Sequence, residues 1–151
     1  MTETTGMKVP NFTASATGDK VFTLSDHTGK YVVLYFYPKD NTPGCTNESI
    51  EFNELSPKFK KKNCVIFGIS RDSIKSHESF KSKYDFQFEL ISDPDESVCK
   101  MFDVIKMKNM YGKQVRGIER STFLIGPKGT IVQEWRKVKV PGHAQEVLDS
   151  I

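Results

Sequence analysis

The chain has 151 residues, the usual size of one compact domain, and folding at this length buries roughly 68–70% of the unfolded surface. Its residues are 37% hydrophobic and 27% charged, a balance that excludes both a disordered chain and a membrane-spanning one. The formal net charge of +3 is small and both signs are interspersed along the chain, so we predict no nucleic-acid partner.

The N-terminus and the cysteine content indicate where the protein works. The first residues have no basic start and no apolar run long enough for a signal peptide, and no later segment approaches 18 apolar residues. Three cysteines without metal-ligand spacing argue against a disulfide framework and a zinc site. We therefore expect a cytoplasmic protein without a membrane anchor, a metal or a cofactor.

The first third of the chain predicts an added hairpin, a buried strand and a helix. The segment "DKVFTLSDHTGK" reads as a strand followed by a turn, which we take as an N-terminal hairpin. The β-branched and aromatic run from Tyr31 to Tyr37 is typical of a central strand in a parallel sheet. After a Thr-Pro-Gly turn, apolar residues at helical spacing predict a helix to about Lys62 with a kink at Pro57.

The rest of the chain continues this alternation and then ends in a hairpin and a helix. We predict strands at Val65–Ser70 and near Phe88, a helix from about Ser73 between them, and a helix capped by Asp93 or Asp95. Residues 103–119 are polar and contain glycine, so we predict a loop there. The segments "STFLI" and "TIVQEW" flank a Gly-Pro-Lys-Gly hairpin turn, and an amphipathic helix follows.

This order of elements predicts an α/β fold, namely a thioredoxin-like three-layer sandwich with an N-terminal β-hairpin extension. We find no internal repeat, low-complexity tract or linker that would mark a boundary. Residues 1–151 are therefore expected to form a single domain.

The turn after the central strand places a cysteine at the start of a helix. Thr42 suits the N-cap, Pro43 the first helical position and Gly44 the second, so Cys45 is the third. A carboxylate often occupies that position, and the helix dipole with its unpaired N–H groups stabilises an anion there. A thiolate at Cys45 would take the carboxylate's place, so we infer that this thiol is reactive.

A structural role is the alternative for each cysteine, because most free cysteines are small buried hydrophobes. Cys64 and Cys99 lie beside Val65 and Val98 in apolar runs, and for these two cysteines we expect the structural role. Cys45 differs because it follows a strand and opens a helix at a Pro-Gly sequence.

Two segments resemble the peroxiredoxin family. Pro38, Thr42 and Cys45 have its PxxxTxxC spacing, and "YPKDNTPGCTNE" is similar to the bacterioferritin-comigratory or PrxQ branch. The segment "IERSTFLI" looks like the family's segment with the active-site arginine. The resemblance covers nearly the whole chain, including "SDPDESVCKMFDVIKMKNMYGKQV" and "WRKVKVPGHAQEVL".

The resemblance implies a thiol-dependent peroxidase that reduces hydrogen peroxide and organic hydroperoxides through a sulfenic acid at Cys45. It implies that Thr42 holds thiolate and peroxide through its hydroxyl, that Pro38 shields the site from water, and that Arg120 places its guanidinium beside the sulfur. Fixed donors aimed at the departing oxygen would lower the barrier, and arginine supplies a permanently charged fork of them.

Other functions of the same residues remain open at this point. A non-catalytic thiol redox sensor or holdase would also use an oxidisable Cys45. A thioredoxin-type disulfide reductase needs a second thiol at CxxC spacing, where this chain has Thr42 and Glu48. A cysteine protease would need a histidine beside the thiol, and the sequence leaves His143 open for that role.

Several polar residues also have plain structural interpretations. Arg120 could form a surface ion pair with Glu119 or Asp103, and Thr42 could be only a helix cap. Glu48 could orient an arginine such as Arg136. The three histidines are best placed in a turn, on a helix face and at a helix start, in the order His27, His77 and His143.

The resemblance also raises the question of how oxidised Cys45 is reduced. Members of this branch often carry a second cysteine five residues on, or on the following helix, where this chain has Ile50 and Lys81. A helix of roughly 27 Å separates Cys64 from Cys45, and Cys99 is expected on an inner helix face. We therefore predict a one-cysteine cycle completed by an external thiol reductant, which is thioredoxin, glutaredoxin or a small thiol, in a monomer or weak dimer.

Overall fold

The structure, a computed structural model, describes residues 5–151, with Met110 described only in its backbone. Nine strands and four α-helices form in these residues. The strands are β1 (Thr13–Ala16), β2 (Lys20–Thr23), β3 (Tyr31–Phe36), β4 (Cys64–Ser70), β5 (Glu89–Ser92), β6 (Ile105–Met110), β7 (Lys113–Ile118), β8 (Ser121–Ile125) and β9 (Ile131–Arg136). The helices are α1 (Pro43–Lys61), α2 (Ile74–Tyr84), α3 (Ser97–Met101) and α4 (His143–Asp149).

Seven strands form one mixed sheet in the order β2-β1-β5-β4-β3-β8-β9. Strands β3, β4 and β5 are parallel to one another, and the helices α1 and α2 make the two crossovers that parallel pairing requires. The hairpin β1–β2 extends one edge through β5, and β8–β9 extends the other through β3. The predicted α/β thioredoxin-like fold with an N-terminal hairpin is therefore confirmed.

The central strand β3 is buried on both faces, as its apolar sequence predicts. Val32, Leu34 and Phe36 pack into one core cluster, which also contains Val98 and Cys99 of α3. The alternate residues of β3 pack into a second cluster with Phe52 and Phe59 of α1, Phe80 of α2, and Ala144, Val147 and Leu148 of α4. The period of two along β3 thus divides the core into the two layers that flank the sheet.

Residues 105–118 form a β-hairpin, so the loop predicted at residues 103–119 is wrong. Strand β6 pairs with β7 from Ile105–Ile118 to Met110–Lys113, and the two strands form a separate two-stranded sheet. Tyr111 and Gly112 make the turn, with φ of 53° and 78°. Two consecutive positive φ values are typical of the tight turns that connect hairpin strands. Lys106, Lys108 and Lys113 make the composition of these strands polar, which hides their alternation.

Helix α1 continues through Pro57, where the sequence predicts a kink. Proline has no N–H, so the carbonyl of Asn53 loses its usual helical donor. The hydroxyl of Ser56 donates to that carbonyl at 2.9 Å. The predicted end of the helix near Lys62 is confirmed, since α1 ends at Lys61. No helix within residues 5–151 is both long and apolar enough to cross a membrane.

Candidate active site

The turn after β3 and the first residues of α1 place Cys45 at the carboxyl end of the parallel strands. Thr42 is the N-cap and Pro43 begins the helix, so Cys45 takes the predicted third helical position. Its side chain is only 1% exposed and packs in the core cluster on the α1 side of the sheet. The thiol therefore lies beneath the surface, beside the N–H groups of a helix start.

Arg120 approaches Cys45 from the short connection between β7 and β8. Its Nη2 donates to Cys45 Sγ at 3.4 Å, and its Nη1 donates to Glu48 Oε1 at 2.6 Å. The side chain is 17% exposed. Gly44 makes this approach possible, because a Cβ at that position would lie 3.2 Å from Arg120 Nη2. Arg120 is thus held at the sulfur instead of forming the surface ion pair that the sequence left open.

Glu48 is the fixed partner of Arg120. It lies one helical turn after Cys45, is 1% exposed, and contacts Arg120 through one carboxylate oxygen. Its second oxygen, Oε2, is buried without a hydrogen-bond partner. Burial raises the pKa of Glu48 to about 7, although the positive charge and hydrogen bond of Arg120 act in the opposite direction. Glu48 therefore fixes the guanidinium that faces Cys45.

The suggestion that Glu48 orients Arg136 is wrong. Arg136 donates to Glu134 and to the carbonyl oxygens of Phe102 and Asp103. The helical spacing of Glu48 to Cys45 was a usable signal that Glu48 belongs to the site. The choice between two arginines that are distant in sequence depended on how β8 and β9 pair, which spacing does not reveal.

Thr42 and Pro38 flank the same turn. Thr42 is half-buried, and its hydroxyl donates to the carbonyl oxygen of Lys39 at 2.8 Å instead of capping the helix. That hydroxyl therefore keeps its oxygen lone pairs available for another donor. Pro38 is half-buried and follows Tyr37, whose N–H donates to the carbonyl of Ile69 in β4. The catalytic roles that the resemblance implies for Thr42 and Pro38 stay predictions.

The other two cysteines lie outside this arrangement. Cys64 begins β4 and pairs with Tyr31, the first residue of β3, so it lies at the opposite end of the sheet from the turn. Burial raises its pKa to about 12. Cys99 is fully buried in the cluster on the α3 side of the sheet, and burial together with Asp93 raises its pKa further still. Both thiols are buried, in keeping with the structural role that the sequence predicts.

Histidine does not serve as a base beside Cys45. His143 begins α4, and its two nitrogens contact Thr122 Oγ1 at 2.8 Å and Glu146 Oε1 at 3.0 Å. His77 is on the buried face of α2, and its nitrogens contact Asp40 and a backbone carbonyl. His27 lies in a short 3-10 helix that follows β2. The cysteine-protease arrangement is therefore absent at His143.

The site combines a buried thiol, a helix start and a guanidinium aimed at the sulfur. A cation and free N–H groups favour a thiolate, and the same donors can stabilise negative charge that develops on a second atom bound next to it. The arrangement fits attack of sulfur on an electrophile whose leaving group departs as an anion.

Comparison with known proteins agrees with this chemistry. Residues 5–134 match the AhpC/TSA family. Peroxiredoxin Bcp of Xanthomonas campestris is 58% identical over 137 residues, which cover 91% of this chain and 86% of the relative. Peroxiredoxin Bcp of Bacillus subtilis is 44% identical over 151 residues, which cover 100% of this chain and 96% of the relative.

Solved structures show the same relationship. The bacterioferritin comigratory protein of Xanthomonas campestris superposes with a TM-score of 0.88 at 57% identity, covering 92% of this chain and 88% of that protein. A cysteine-to-serine mutant of PrxQ from Xylella fastidiosa superposes with a TM-score of 0.92 at 54% identity, covering 96% and 92%.

Proposed function

This chain belongs to the AhpC/TSA family and is a peroxiredoxin with thiol-dependent peroxidase function, and from that premise we propose that Cys45 is its peroxide-reducing nucleophile. The observation that carries the proposal is the 3.4 Å contact between Arg120 Nη2 and Cys45 Sγ at the start of α1. Cys64 and Cys99 have raised pKa values, and within residues 5–151 no guanidinium donates a hydrogen bond to either thiol.

The first half of the proposed reaction oxidises Cys45. The thiolate attacks one oxygen of the hydroperoxide, an S–O bond forms, and the O–O bond breaks. The departing oxygen leaves as water or an alcohol after it takes up a proton, and Cys45 becomes a sulfenic acid. Arg120 donates to the oxygen on which charge develops, the Thr42 hydroxyl oxygen accepts a hydrogen bond from the hydroperoxide O–H, and Pro38 limits the access of water.

The second half reduces Cys45 with an external thiol. The reductant's thiolate attacks the sulfenic sulfur, water leaves, and a mixed disulfide forms. A second thiol, from the same reductant protein or from a second small-thiol molecule, then attacks the mixed disulfide. This releases the oxidised reductant as a disulfide and regenerates the Cys45 thiolate. Cys64 lies at the far end of the sheet and Cys99 on its other side, which supports a cycle without an internal disulfide. We propose thioredoxin, glutaredoxin or a small thiol as the reductant.

We propose hydrogen peroxide and organic hydroperoxides as the substrates. The Xanthomonas campestris relative has been studied for alkyl peroxide reduction, which supports the inclusion of organic hydroperoxides. A non-catalytic redox sensor or holdase would need the same thiol but would react slowly, so the rate of oxidation separates it from a peroxidase.

One equivalent of hydrogen peroxide is expected to consume one of the three thiols of the reduced protein. Stopped-flow fluorescence measures the rate, a thiol-reactive dye counts the thiols, and digestion without reductant shows whether any peptides are crosslinked. Loss of a second thiol, together with a Cys45–Cys99 or Cys45–Cys64 peptide, would show that an internal disulfide forms. Slow oxidation at every peroxide concentration would instead favour the sensor.

Replacement of Thr42 by valine is expected to slow oxidation about 10-fold, the effect of one lost hydrogen bond in the transition state. Thr42→Ser keeps the hydroxyl and should be milder. The measurement is the second-order rate constant for peroxide in both variants. Equal rates for valine and serine would contradict a hydrogen-bonding role and leave Thr42 as a helix start only.

The remaining proposals concern the whole chain. We propose one domain for residues 1–151, because Ala144, Val147 and Leu148 of α4 pack into the same cluster as Phe52 of α1. We also propose a cytoplasmic location, in keeping with the free cysteines. A monomer or weak dimer without a nucleic-acid partner is proposed on the small, interspersed charge.

A further inference from the structure

A buried aspartate, Asp40, lies in the middle of the turn that connects β3 to α1. Its side chain has three partners: Tyr37 Oη donates to Oδ1 at 2.7 Å, Ser76 Oγ donates to Oδ2 at 2.8 Å, and His77 Nδ1 lies 2.7 Å from Oδ2. The backbone N–H of Asp40 donates to Asp72 Oδ2 at 3.0 Å. None of these groups has a part in the reaction described above.

His77 contacts acceptors through both of its ring nitrogens. Its Nε2 lies 2.9 Å from the carbonyl oxygen of Ile91, which can only accept, so Nε2 carries a hydrogen. Its Nδ1 lies 2.7 Å from Oδ2 of Asp40, so a second hydrogen bond joins the two side chains. The two side chains are 0% and 2% exposed. A hydrogen bond that is shielded from water holds both groups in one arrangement.

The cluster is a hydrogen-bond network and not a metal centre. Asp40, Asp72 and His77 do bring potential ligand atoms within 4.8 Å of one another. However, both carboxylate oxygens of Asp40 and both nitrogens of His77 already have protein partners. A metal ion would have to displace these partners, so the geometry favours the network.

The network fixes the turn after β3, which strand pairing does not hold in place. The regular pairing of β3 ends at Phe36, and the N–H of Tyr37 makes the last backbone bond, to the carbonyl of Ile69 at 3.0 Å. Asn41, further along the turn, has a φ of 62°, which costs a non-glycine residue free energy. The Asp40 side chain links this turn to α2 through its hydrogen bond with His77. His77 in turn links the turn to β5 through its hydrogen bond with the carbonyl oxygen of Ile91.

We propose that Asp40 and His77 are positioning residues of the peroxidase reaction, which hold the turn so that Thr42 and Cys45 meet the peroxide in line with Arg120. The inference rests on the proposed role of Cys45. Attack on the O–O bond requires aligned atoms, and a misplacement of about 1 Å can lower a rate about 100-fold. Thr42 lies two residues from Asp40, so its hydroxyl follows any movement of the turn.

The test compares two reactions of Cys45 in His77→Gln and Asp40→Asn. Oxidation by hydrogen peroxide needs Thr42 and Arg120 in place, whereas alkylation by iodoacetamide needs only an accessible thiolate. We expect oxidation to slow about 10-fold to 100-fold. Alkylation should keep its rate or become faster, because Cys45 is 1% exposed and a loosened turn uncovers it. The ratio of the two rate constants is the quantity measured.

Thr17→Val is the matched control. Thr17 is fully buried, donates to Glu89 and accepts from the N–H of Leu90, and it has no hydrogen bond to Asp40, Ser76 or His77. Its replacement should lower the melting temperature and leave the ratio of rates unchanged. If His77→Gln does not fold, Ser76→Ala removes one bond to Asp40, keeps His77, and should change the ratio in the same direction by a smaller factor.

Three outcomes separate the two proposals. A changed ratio in His77→Gln and Asp40→Asn, with an unchanged ratio in Thr17→Val, supports positioning. A fast wild-type reaction with an unchanged ratio in the folded variants overturns the positioning role alone. Slow oxidation of Cys45 in the wild-type protein overturns the proposed function itself.

Discussion

Replacement of Cys45 by serine is expected to abolish peroxide reduction. A serine hydroxyl stays protonated at neutral pH, so it offers no anionic nucleophile to the peroxide and cannot form a sulfenic acid. Peroxide consumption with a saturating thiol reductant should fall to the level of a sample without protein. The fold should remain, since the change replaces one atom, and the melting temperature checks this.

Cys64→Ser and Cys99→Ser are the matched controls for this change. Each makes the same chemical replacement at a thiol whose pKa burial has raised. Both variants should therefore keep the peroxidase rate while they remain folded. Substantial activity in Cys45→Ser, or its loss in either control at an unchanged melting temperature, would contradict the assignment of the nucleophile.

Replacement of Arg120 by lysine is expected to slow oxidation about 100-fold although the positive charge is kept. The guanidinium contacts Glu48 with one nitrogen and Cys45 with another, at 2.6 Å and 3.4 Å. A single ammonium group cannot hold both contacts in that geometry. The second-order rate constant for hydrogen peroxide, measured by stopped flow, gives the effect directly.

Arg116→Lys is the control for the loss of an arginine fork. Arg116 donates to both carboxylate oxygens of Glu96 and is 47% exposed on the β6–β7 hairpin. Its replacement should leave the oxidation rate within about twofold, because exposed ion pairs contribute little. Near-normal kinetics in Arg120→Lys would reduce Arg120 to a structural partner of Glu48.

The sequence was sufficient to predict an element wherever its local residue pattern matched the surface that the element buries. The run from Tyr31 to Tyr37 predicts β3 because residues apolar on both sides suit only a covered strand. The Thr-Pro-Gly-Cys order predicts the start of α1 because each residue meets a local backbone requirement. Residues 103–119 were misjudged because the β6–β7 hairpin buries little of its own surface, so polarity hid the strands.

Two side-chain contacts near Cys45 could not be predicted from local sequence patterns. Thr42 was predicted as the helix start, yet its hydroxyl donates to the carbonyl of Lys39, because the turn brings that acceptor within 2.8 Å. Glu48 could be predicted to face an arginine but not which one, because the choice depends on strands that meet only in the folded sheet.

By itself, the sequence determined the fold class, the helix start that carries Cys45, and the resemblance that led to a peroxidase. These depend on residues close together in the chain, whose backbone preferences and spacing act before any long-range contact forms. Only the tertiary structure decided that Arg120 pairs with Glu48 at the sulfur and that His77 holds Asp40. It also decided that Cys64 lies at the opposite end of the sheet and Cys99 in the other core cluster. Those relations join residues separated by tens of positions, and the pairing order of the strands sets them.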